Sequence, residues 1–268
     1  MGEDGVFRME VNMKCKICGS ESSLFDTATV LRKYEVKYFK CSKCGFIQTE
    51  DPYWLSEAYT SAITSTDIGL VWRNIDISKF LDVLFFLCRF SKKSFLDYGG
   101  GYGMLVRMMR DKGYDFEWYD EYCDNLFAQT HEMRKEHYDV ITSFEVLEHL
   151  PKPLETLDRL FKLGDTLIFS TNLVPDSIYG VKDWWYFGND HGQHISFYTP
   201  KAMREIARMY GKKYYRVINM HIFSNDISWL QFLIIKVLGG AIFLKSYLRR
   251  RYKSLLLSDY ETIKNGEV

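Results

Sequence analysis

Four cysteines near the amino terminus have the residue type and spacing of a metal site. Cys15 with Cys18 and Cys41 with Cys44 form two C-x-x-C pairs, each followed directly by glycine. The short spacer lets both thiolates of a pair reach one tetrahedral ion, and four thiolates leave no position for water, so we predict a structural zinc site. Disulfides or a redox pair are the alternatives, but a reducing compartment disfavours disulfides, and a redox pair does not need a second copy.

A glycine-rich stretch, FLDYGGGYG at 95–103, follows a short apolar run and precedes a helix-like segment. Glycine permits φ > 0 and a close approach of a ligand to the main chain, so this layout is typical of a nucleotide-like cofactor cradle. A dinucleotide fingerprint is excluded because its third glycine would fall at Met104. The spacing is D-x-G-x-G-x-G, formed by Asp97, Gly99, Gly101 and Gly103. At the end of the next apolar run, Asp120 can accept hydrogen bonds from both ribose hydroxyls.

This motif resembles the first motif of class I S-adenosylmethionine (SAM) methyltransferases, D/E-x-G-x-G-x-G. The resemblance implies that the glycine loop lies under the methionine part of SAM and that Asp97 helps to hold its amino end. The stretch YDVITSFEVLEHLPKP at 138–153 closely resembles the fourth-strand segment of the same family, and GDTLIFSTN at 164–172 fits its fifth strand. Too few residues separate Asp120 from Tyr138 for a helix and a full third strand, so we expect that strand to be short or missing. The expected adenine contacts are Glu121 and Phe144.

Three ionisable residues in EVLEH are further candidates for chemistry. Glu145, Glu148 and His149 stand at i, i+3 and i+4, so on a helix they would share one face. Two carboxylates and an imidazole can bind a divalent cation, and similarity to the E-x-x-E-H of ubiquinone-pathway O-methyltransferases implies such a site. We favour the other interpretation, that they cap the helix and orient neighbouring loops, since many relatives with this pattern work without metal.

The stretch DWWYFGNDHGQHISFYTP at 183–200 is dense in aromatic residues and histidine. Aromatic faces stack on sugar rings, and histidine can take a hydroxyl proton near neutral pH, so we predict an acceptor pocket here. We predict His194 as the general base, with His149 second and Glu145 as a further catalytic side chain. The expected substrate contacts are Trp184, Trp185, Tyr186, His191 and Gln193. A packed, non-catalytic lid is the alternative, and Thr199-Pro200 predicts the start of a helix.

The elements that must position these residues indicate an α/β fold: a Rossmann-like class I methyltransferase sheet, a small N-terminal zinc ribbon and a helical C-terminal segment. SFLDY and DFEWYD read as strands that flank a helix stopped by Gly113. Residues 14–50 alternate like two strands and are too few to hold together without their metal. The predicted domains are a zinc ribbon at 14–50, a helical linker or lid at 51–92, a SAM-binding methyltransferase domain at 93–225 and a helical extension at 226–268.

Composition limits the partners. The 268 residues contain 35 basic and 35 acidic side chains, so no global field attracts nucleic acid. Within 14–50, seven basic residues face four acidic ones, a modest surplus for binding phosphate. The first 13 residues lack an apolar signal segment and no apolar run is long enough to span a membrane, so we expect a cytoplasmic protein. The segment 228–253 ends in RRRYK and reads as a core or subunit-contact helix, with peripheral membrane contact as the alternative.

The function expected from this sequence is SAM-dependent O-methylation of a small acceptor, a saccharide or nucleotide-sugar hydroxyl. A four-cysteine unit before a short methyltransferase domain is similar to bacterial sugar methyltransferases of polysaccharide and deoxysugar pathways. Three alternatives stay open: sugar C-methylation, RNA methylation with the zinc ribbon gripping RNA, and a non-catalytic SAM-binding scaffold. The N/D-P-P-Y/F motif of amine methylation is missing, since the fourth strand runs into SFEV.

Overall fold

The computed structural model of the chain describes residues 12–59, 67–248 and 261. The strands are β1 Met13–Lys14, β2 Glu21–Val30, β3 Tyr34–Cys41, β4 Ile47–Thr49, β5 Phe95–Tyr98, β6 Phe116–Tyr119, β7 Tyr138–Phe144, β8 Gly164–Ser170, β9 Ser196–Phe197, β10 Lys213–Val217 and β11 Met220–Ser224. The helices are α1 Leu55–Ala58, α2 Leu70–Cys88, α3 Met104–Asp111, α4 Pro153–Leu163, α5 Pro200–Met209 and α6 Trp229–Leu248.

The chain divides into two compact units that are interleaved along the sequence. Unit 1 contains Met1–Ala58, Glu148–Leu154 and Asn172–Ile206. Unit 2 contains Tyr59–Leu147, Glu155–Thr171 and Ala207–Val268. The four-domain division that we predicted from the sequence stays a prediction.

Unit 1 is built on an antiparallel sheet with the strand order β1-β2-β3-β4-β9. Strand β9 joins this sheet from far along the chain, with Phe197 opposite Ile47. Apolar side chains from both regions form one core that includes Val36, Trp54 and Phe197. Residues 14–50 therefore do not depend on a metal ion alone for their stability, because residues 172–206 add apolar side chains to a shared core.

Unit 2 contains a six-stranded sheet with the order β10-β11-β8-β7-β5-β6. The four strands β8, β7, β5 and β6 are parallel, and β11 and β10 are antiparallel. Residues 120–137, all of them described, contain no strand, and a single bridge joins Trp118 to Glu132. The expectation that the third strand is short or missing is thus confirmed. Because parallel strands end at one edge of the sheet, the residues that follow β5, β6 and β7 are candidates for a shared ligand site.

The buried interior of unit 2 positions the glycine loop. Phe95 of β5 and Phe116 of β6 stack with ring centroids 4.8 Å apart, and Phe85 of α2 packs on Phe95 at 4.6 Å. Val106 and Met109 of α3 are also buried in this core. Since β5 and α3 are both fixed by packing, the loop between them has a rigid support on each side. Within the described residues, we find no helix that is both long and apolar enough to cross a membrane.

Two local predictions have opposite outcomes. Helix α5 starts at Pro200, and Thr199 Oγ1 accepts the Ala202 N–H at 3.0 Å, so the predicted cap is confirmed. The helix predicted for EVLEH is wrong, because only Leu147–His149 forms a single 3-10 turn. Glu145 lies before this turn at φ 56°, outside any helix, and does not share a helix face with Glu148.

Candidate functional site

The four cysteines of unit 1 come together as the sequence predicts. Cys15 Sγ lies 3.6 Å from Cys44 Sγ, and Cys18 Sγ lies 3.4 Å from Cys41 Sγ. All four sulfur atoms lie within 4.8 Å of one another. Thiolates about 2.3 Å from a tetrahedral zinc ion stand about 3.8 Å apart, so this arrangement fits one ion.

Each C-x-x-C turn also directs backbone donors at its sulfur atoms. The Ile17 N–H donates to Cys15 Sγ and the Cys44 N–H to Cys41 Sγ, both at 3.4 Å. The glycine after each pair has positive φ, 68° at Gly19 and 73° at Gly45. Such N–H donors stabilise thiolate charge, as expected of a closed metal site. The four cysteines can therefore hold a structural zinc ion.

The glycine loop of unit 2 has the tight backbone that its motif requires. Gly99, Gly101 and Gly103 all have φ between 54° and 81°. A Cβ atom at Gly99 would lie 2.5 Å from Val146 Cγ2, so a larger residue cannot fit without a shift. The Trp118 indole N–H donates to the Gly101 carbonyl at 2.9 Å and fixes the loop from β6. This preformed cradle fits a cofactor that lies against the main chain.

Asp97 is almost fully buried at the end of β5. Its Oδ1 accepts a hydrogen bond from Thr142 Oγ1 of β7 at 2.6 Å. Burial raises the pKa of the Asp97 carboxyl to about 7, since the Thr142 hydrogen bond only partly offsets the desolvation and the Asp120 charge raises it further. A carboxylate under this penalty gains from a nearby cation, and the amino group of SAM is one. The residues present therefore fit SAM.

Asp120 follows β6 and is held by backbone donors on both oxygens. Oδ2 accepts the Gly101 N–H at 2.8 Å, and Oδ1 accepts the Tyr122 and Cys123 N–H groups at 2.8 and 2.9 Å. A carboxylate has about four acceptor positions, so Asp120 has room for one further donor. We expected it to accept both ribose hydroxyls, and this arrangement leaves space for one of them.

The two expected adenine contacts lie in different surroundings. Glu121 is exposed directly after Asp120, and Phe144 is partly buried against the core of unit 2 at the end of β7.

The sequence analysis did not identify an aromatic pair at the ends of β5 and β6. The rings of Tyr98 and Tyr119 stack at 5.0 Å, and the Arg159 guanidinium carbon lies 5.0 Å from the Tyr119 ring centroid. The aromatic residue next to Asp97 in the motif was the only signal that could have pointed to it.

Glu145 is held in a strained conformation by a residue that the motif does not include. Its N–H donates to Ser170 Oγ at 3.0 Å, and its carboxylate accepts the Ser170 hydroxyl. The left-handed backbone of Glu145 is uncommon for a side chain of this kind, and such strain persists only where the surroundings enforce it. Ser170 thus fixes the Glu145 carboxylate at the carboxyl end of β7.

In unit 1 the structure brings a buried carboxylate together with histidines. The Glu148 carboxylate, His149 and His194 each have a ligand atom within 4.8 Å of the others. Glu148 is fully buried and accepts the Tyr186 hydroxyl. The ring centroid of His194 lies 4.9 Å from that of His149 and 4.7 Å from that of His191. We call Glu148, His149 and His194 the histidine cluster; its members can hold a cation or move a proton.

The hydrogen bonding of His194 defines its tautomer. Its Nδ1 lies 2.6 Å from the Tyr186 carbonyl oxygen, which can only accept, so Nδ1 holds the proton and Nε2 holds the lone pair. Burial holds the pKa of His194 well below its usual range, reinforced by the neighbouring His149 and His191. His194 is therefore a neutral imidazole at neutral pH.

The predicted substrate contacts have very different exposures. Trp185 is 79% exposed and His191 is partly buried. Trp184 packs against the core of unit 1, and Tyr186 is buried with its hydroxyl on Glu148. Gln193 is also buried, and its amide donates to the Ala58 carbonyl at 2.8 Å. Among these five, Trp185 presents the most surface to a ligand.

Both units can now be set beside known proteins. A family model described as a methyltransferase domain matches residues 72–216, more than half of the chain. The glycine loop, the strand order of unit 2 and this match define a SAM-dependent methyltransferase. The chain belongs to the methyltransferase-domain family. No curated protein sequence matches it.

Several solved structures are similar to this chain at low sequence identity. An O-methyltransferase family protein from Burkholderia thailandensis is 14% identical with a TM-score of 0.45, and the match covers 65% of this chain and 62% of that one. The plantazolicin methyltransferase BpumL is 14% identical with a TM-score of 0.44, covering 73% and 87%. The mitomycin 7-O-methyltransferase MmcR is 14% identical with a TM-score of 0.37, covering 54% of this chain and 52% of that one. The chain thus spans little more than half of MmcR, and the family assignment rests on the domain match.

The cysteine cluster predicts a measurable metal dependence. Replacing Cys41 with serine removes one of four thiolate ligands, so zinc should fall from about one ion per chain to near zero. Because metal binding contributes to folding free energy, the melting temperature should fall by on the order of 10 °C. Elemental analysis and differential scanning calorimetry measure both. Cys123→Ser, outside the cluster, is the control, and an unchanged zinc content in Cys41→Ser would contradict the assignment.

If Asp97 binds the amino group of SAM, SAM binding should release a proton from the carboxyl group of Asp97. Asp97→Asn can keep the Thr142 hydrogen bond but has no charge, so SAM should bind at least roughly tenfold more weakly at pH 8. At pH 6.5 the wild-type carboxyl is mostly protonated, and calorimetry in buffers of different ionisation enthalpy should show up to one proton released per SAM bound. That release should vanish in Asp97→Asn and persist in Asp111→Asn, an exposed control. Equal proton release in the wild type and Asp97→Asn would refute the role.

The raised pKa of Asp97 also determines how the stability of the protein changes with pH. Because folding raises the pKa of the Asp97 carboxyl from about 3.9 to about 7, the free energy of unfolding falls as the pH rises through this range. At pH 8 the full penalty applies, so Asp97→Asn should melt several degrees higher than the wild type, and the difference should disappear near pH 4. Thermal melts at the two pH values measure this, and a lower melting temperature for the variant at pH 8 would be the opposite result.

Proposed function

We propose that this SAM-dependent methyltransferase methylates a hydroxyl group of a saccharide or nucleotide sugar, with His194 as the general base. When bound, SAM supplies an electrophilic methyl group that an acceptor oxygen can attack as the carbon–sulfur bond breaks. The proton of the acceptor hydroxyl must pass to an unprotonated base. The single observation that supports His194 most is its Nδ1–H bond to the Tyr186 carbonyl, which leaves the lone pair on Nε2.

The cofactor roles belong to unit 2 in this proposal. Asp97 binds the amino group of SAM, Asp120 accepts a ribose hydroxyl, and the glycine loop gives the close backbone approach. Glu121 and Phe144 are proposed as adenine contacts. The pinned carboxylate of Glu145, at the carboxyl end of β7, is proposed as a further catalytic group.

The acceptor roles belong to unit 1. Trp185 offers an exposed indole face, which suits stacking on the C–H face of a sugar ring, with His191 nearby in sequence. His149 is the second candidate for the base, because its ring lies against that of His194. Trp184, Tyr186 and Gln193 are proposed to shape this region from within. The four cysteines are proposed to hold a structural zinc ion that stabilises unit 1.

A cation in the histidine cluster is the competing interpretation of the same geometry. The sequence suggested Glu145, Glu148 and His149 as ligands, but the Glu145 carboxylate is held by Ser170, and His194 joins the other two. A cation on His194 Nε2 would occupy the lone pair that the base needs. Turnover that is lost on chelation and restored by a divalent ion would therefore favour the cation interpretation, in which Glu148, His149 and His194 would hold the ion and the ion would lower the pKa of the acceptor hydroxyl.

If His194 is the general base, its replacement should lower turnover without changing the affinity for SAM. His194→Ala should bind SAM with unchanged affinity but lose on the order of 10²–10⁴-fold in kcat. Because the pKa of His194 lies well below 6.5, the acid limb of kcat at saturating SAM should also lie below 6.5. Steady-state kinetics from pH 5 to 9 measure both, with His137→Ala, an exposed histidine of unit 2, as the control. Full turnover by His194→Ala would end its role as the base.

The acceptor class is tested with SAM labelled on its methyl group. Purified protein is incubated with a pool of nucleotide sugars and glycans, and separately with total RNA. Label in the sugar pool supports the proposal, and mass spectrometry then shows whether oxygen or carbon is methylated. Label in RNA would favour the basic residues of 14–50 as an RNA grip. SAM binding without transfer to either pool would favour a non-catalytic scaffold.

A further inference from the structure

Helix α6 has one face that is part of the core of unit 2. Phe232 and Ile235 are buried, and a Cβ atom at Gly239 would lie 2.9 Å from a ring carbon of Phe80 in α2. The Gln231 side-chain amide donates to the Leu87 carbonyl at 3.2 Å. The helix is therefore fixed on the protein by this face.

The opposite face of α6 is apolar and exposed. At 100° per residue, its members span roughly half of the helix circumference, opposite the buried face. Each is between 41% and 70% exposed, and we call them the α6 stripe: Trp229, Leu230, Leu233, Ile234, Val237 and Leu238. Phe86 of α2, 79% exposed, directly precedes Leu87 and so lies near the start of α6. Monomeric soluble proteins rarely expose a contiguous apolar surface of this kind, so it needs an explanation.

The sequence segment that contains α6 is basic. Residues 227–258 contain six basic side chains and no acidic one, in a chain whose formal net charge is zero: Lys236, Lys245, Arg249, Arg250, Arg251 and Lys253. Lys236 is exposed and falls on the helical wheel beside Trp229, at the margin of the stripe. An exposed apolar face with an aromatic residue, a lysine at its margin and a basic surrounding sequence has the chemistry that binds an anionic lipid surface.

We propose that α6 attaches this protein to anionic membranes by lying in the plane of the lipid interface. The stripe enters the boundary between headgroups and acyl chains, Lys236 at its margin pairs with a lipid phosphate, and the net positive charge of 227–258 attracts the anionic surface. Because the other face of α6 is held by α2, only the stripe is offered to lipid. The inference is independent of the acceptor, since it concerns where the enzyme works rather than what it methylates.

Vesicle flotation of the full chain tests this proposal. We expect the protein to float with vesicles containing about one-third phosphatidylglycerol and to remain below with pure phosphatidylcholine, and binding should weaken at 0.5 M salt. Leu230→Gln with Val237→Gln changes two exposed residues and should lower the partition coefficient at least roughly tenfold. Tyr179→Gln, a highly exposed aromatic residue of unit 1, is the matched control and should bind like the wild type.

Other occupants of the stripe give different results. SAM affinity and the melting temperature of the double variant must match the wild type, so that loss of binding reports on the surface. Sedimentation velocity without vesicles tests a second copy of the chain. A concentration-dependent dimer that the double variant abolishes, with no flotation, would overturn the proposal. Equal binding to neutral and anionic vesicles, or a monomer that never floats, would overturn it as well.

Discussion

The burial of the Glu148 carboxylate is the constraint on which the proposed chemistry of unit 1 depends. A carboxylate removed from water must be compensated, and the Tyr186 hydroxyl donates to it. The same residue accepts the Nδ1–H of His194 through its carbonyl oxygen. Tyr186 thus links the buried acid to the imidazole and fixes the tautomer that places the lone pair on Nε2. A side chain that looked like a stacking surface in the sequence is a support for the cluster.

Unit 2 also contains a buried carboxylate, here at the proposed cofactor site. Asp97 is kept in a buried position where ionisation is unfavourable, and the glycine loop is fixed from β6 by Trp118 and Asp120. A site that is organised before the ligand arrives spends little binding energy on ordering itself. This organisation lowers the stability of the folded protein, because the buried Asp97 is unfavourable when it is ionised. Both units therefore keep ionisable groups away from water in the places where the proposed chemistry needs them.

Local patterns in the sequence were sufficient for much of the fold and site. The cysteine pairs, the positive φ of the glycine motif, the missing third strand and the cap at Thr199 all follow from residues close together in the chain. The errors have long-range causes. Ser170, 25 positions away, hydrogen-bonds to Glu145 in its left-handed conformation before the 3-10 turn, and Tyr186, 38 positions away, donates to Glu148. Periodicity and motif spacing contain no information about such pairings, nor about the addition of β9 to the sheet of unit 1.

The protonation state of His194 is the central claim, and nitrogen NMR of the protein labelled with ¹⁵N-histidine measures it directly at pH 7. We predict a protonated Nδ1 and an unprotonated, pyridine-like Nε2 that persists well below pH 6.5. Assignment follows from the signal that is lost in His194→Ala. A doubly protonated ring at pH 7, or an Nε2 signal that shifts on addition of zinc or manganese and returns on chelation, would contradict the account of His194 as a neutral general base.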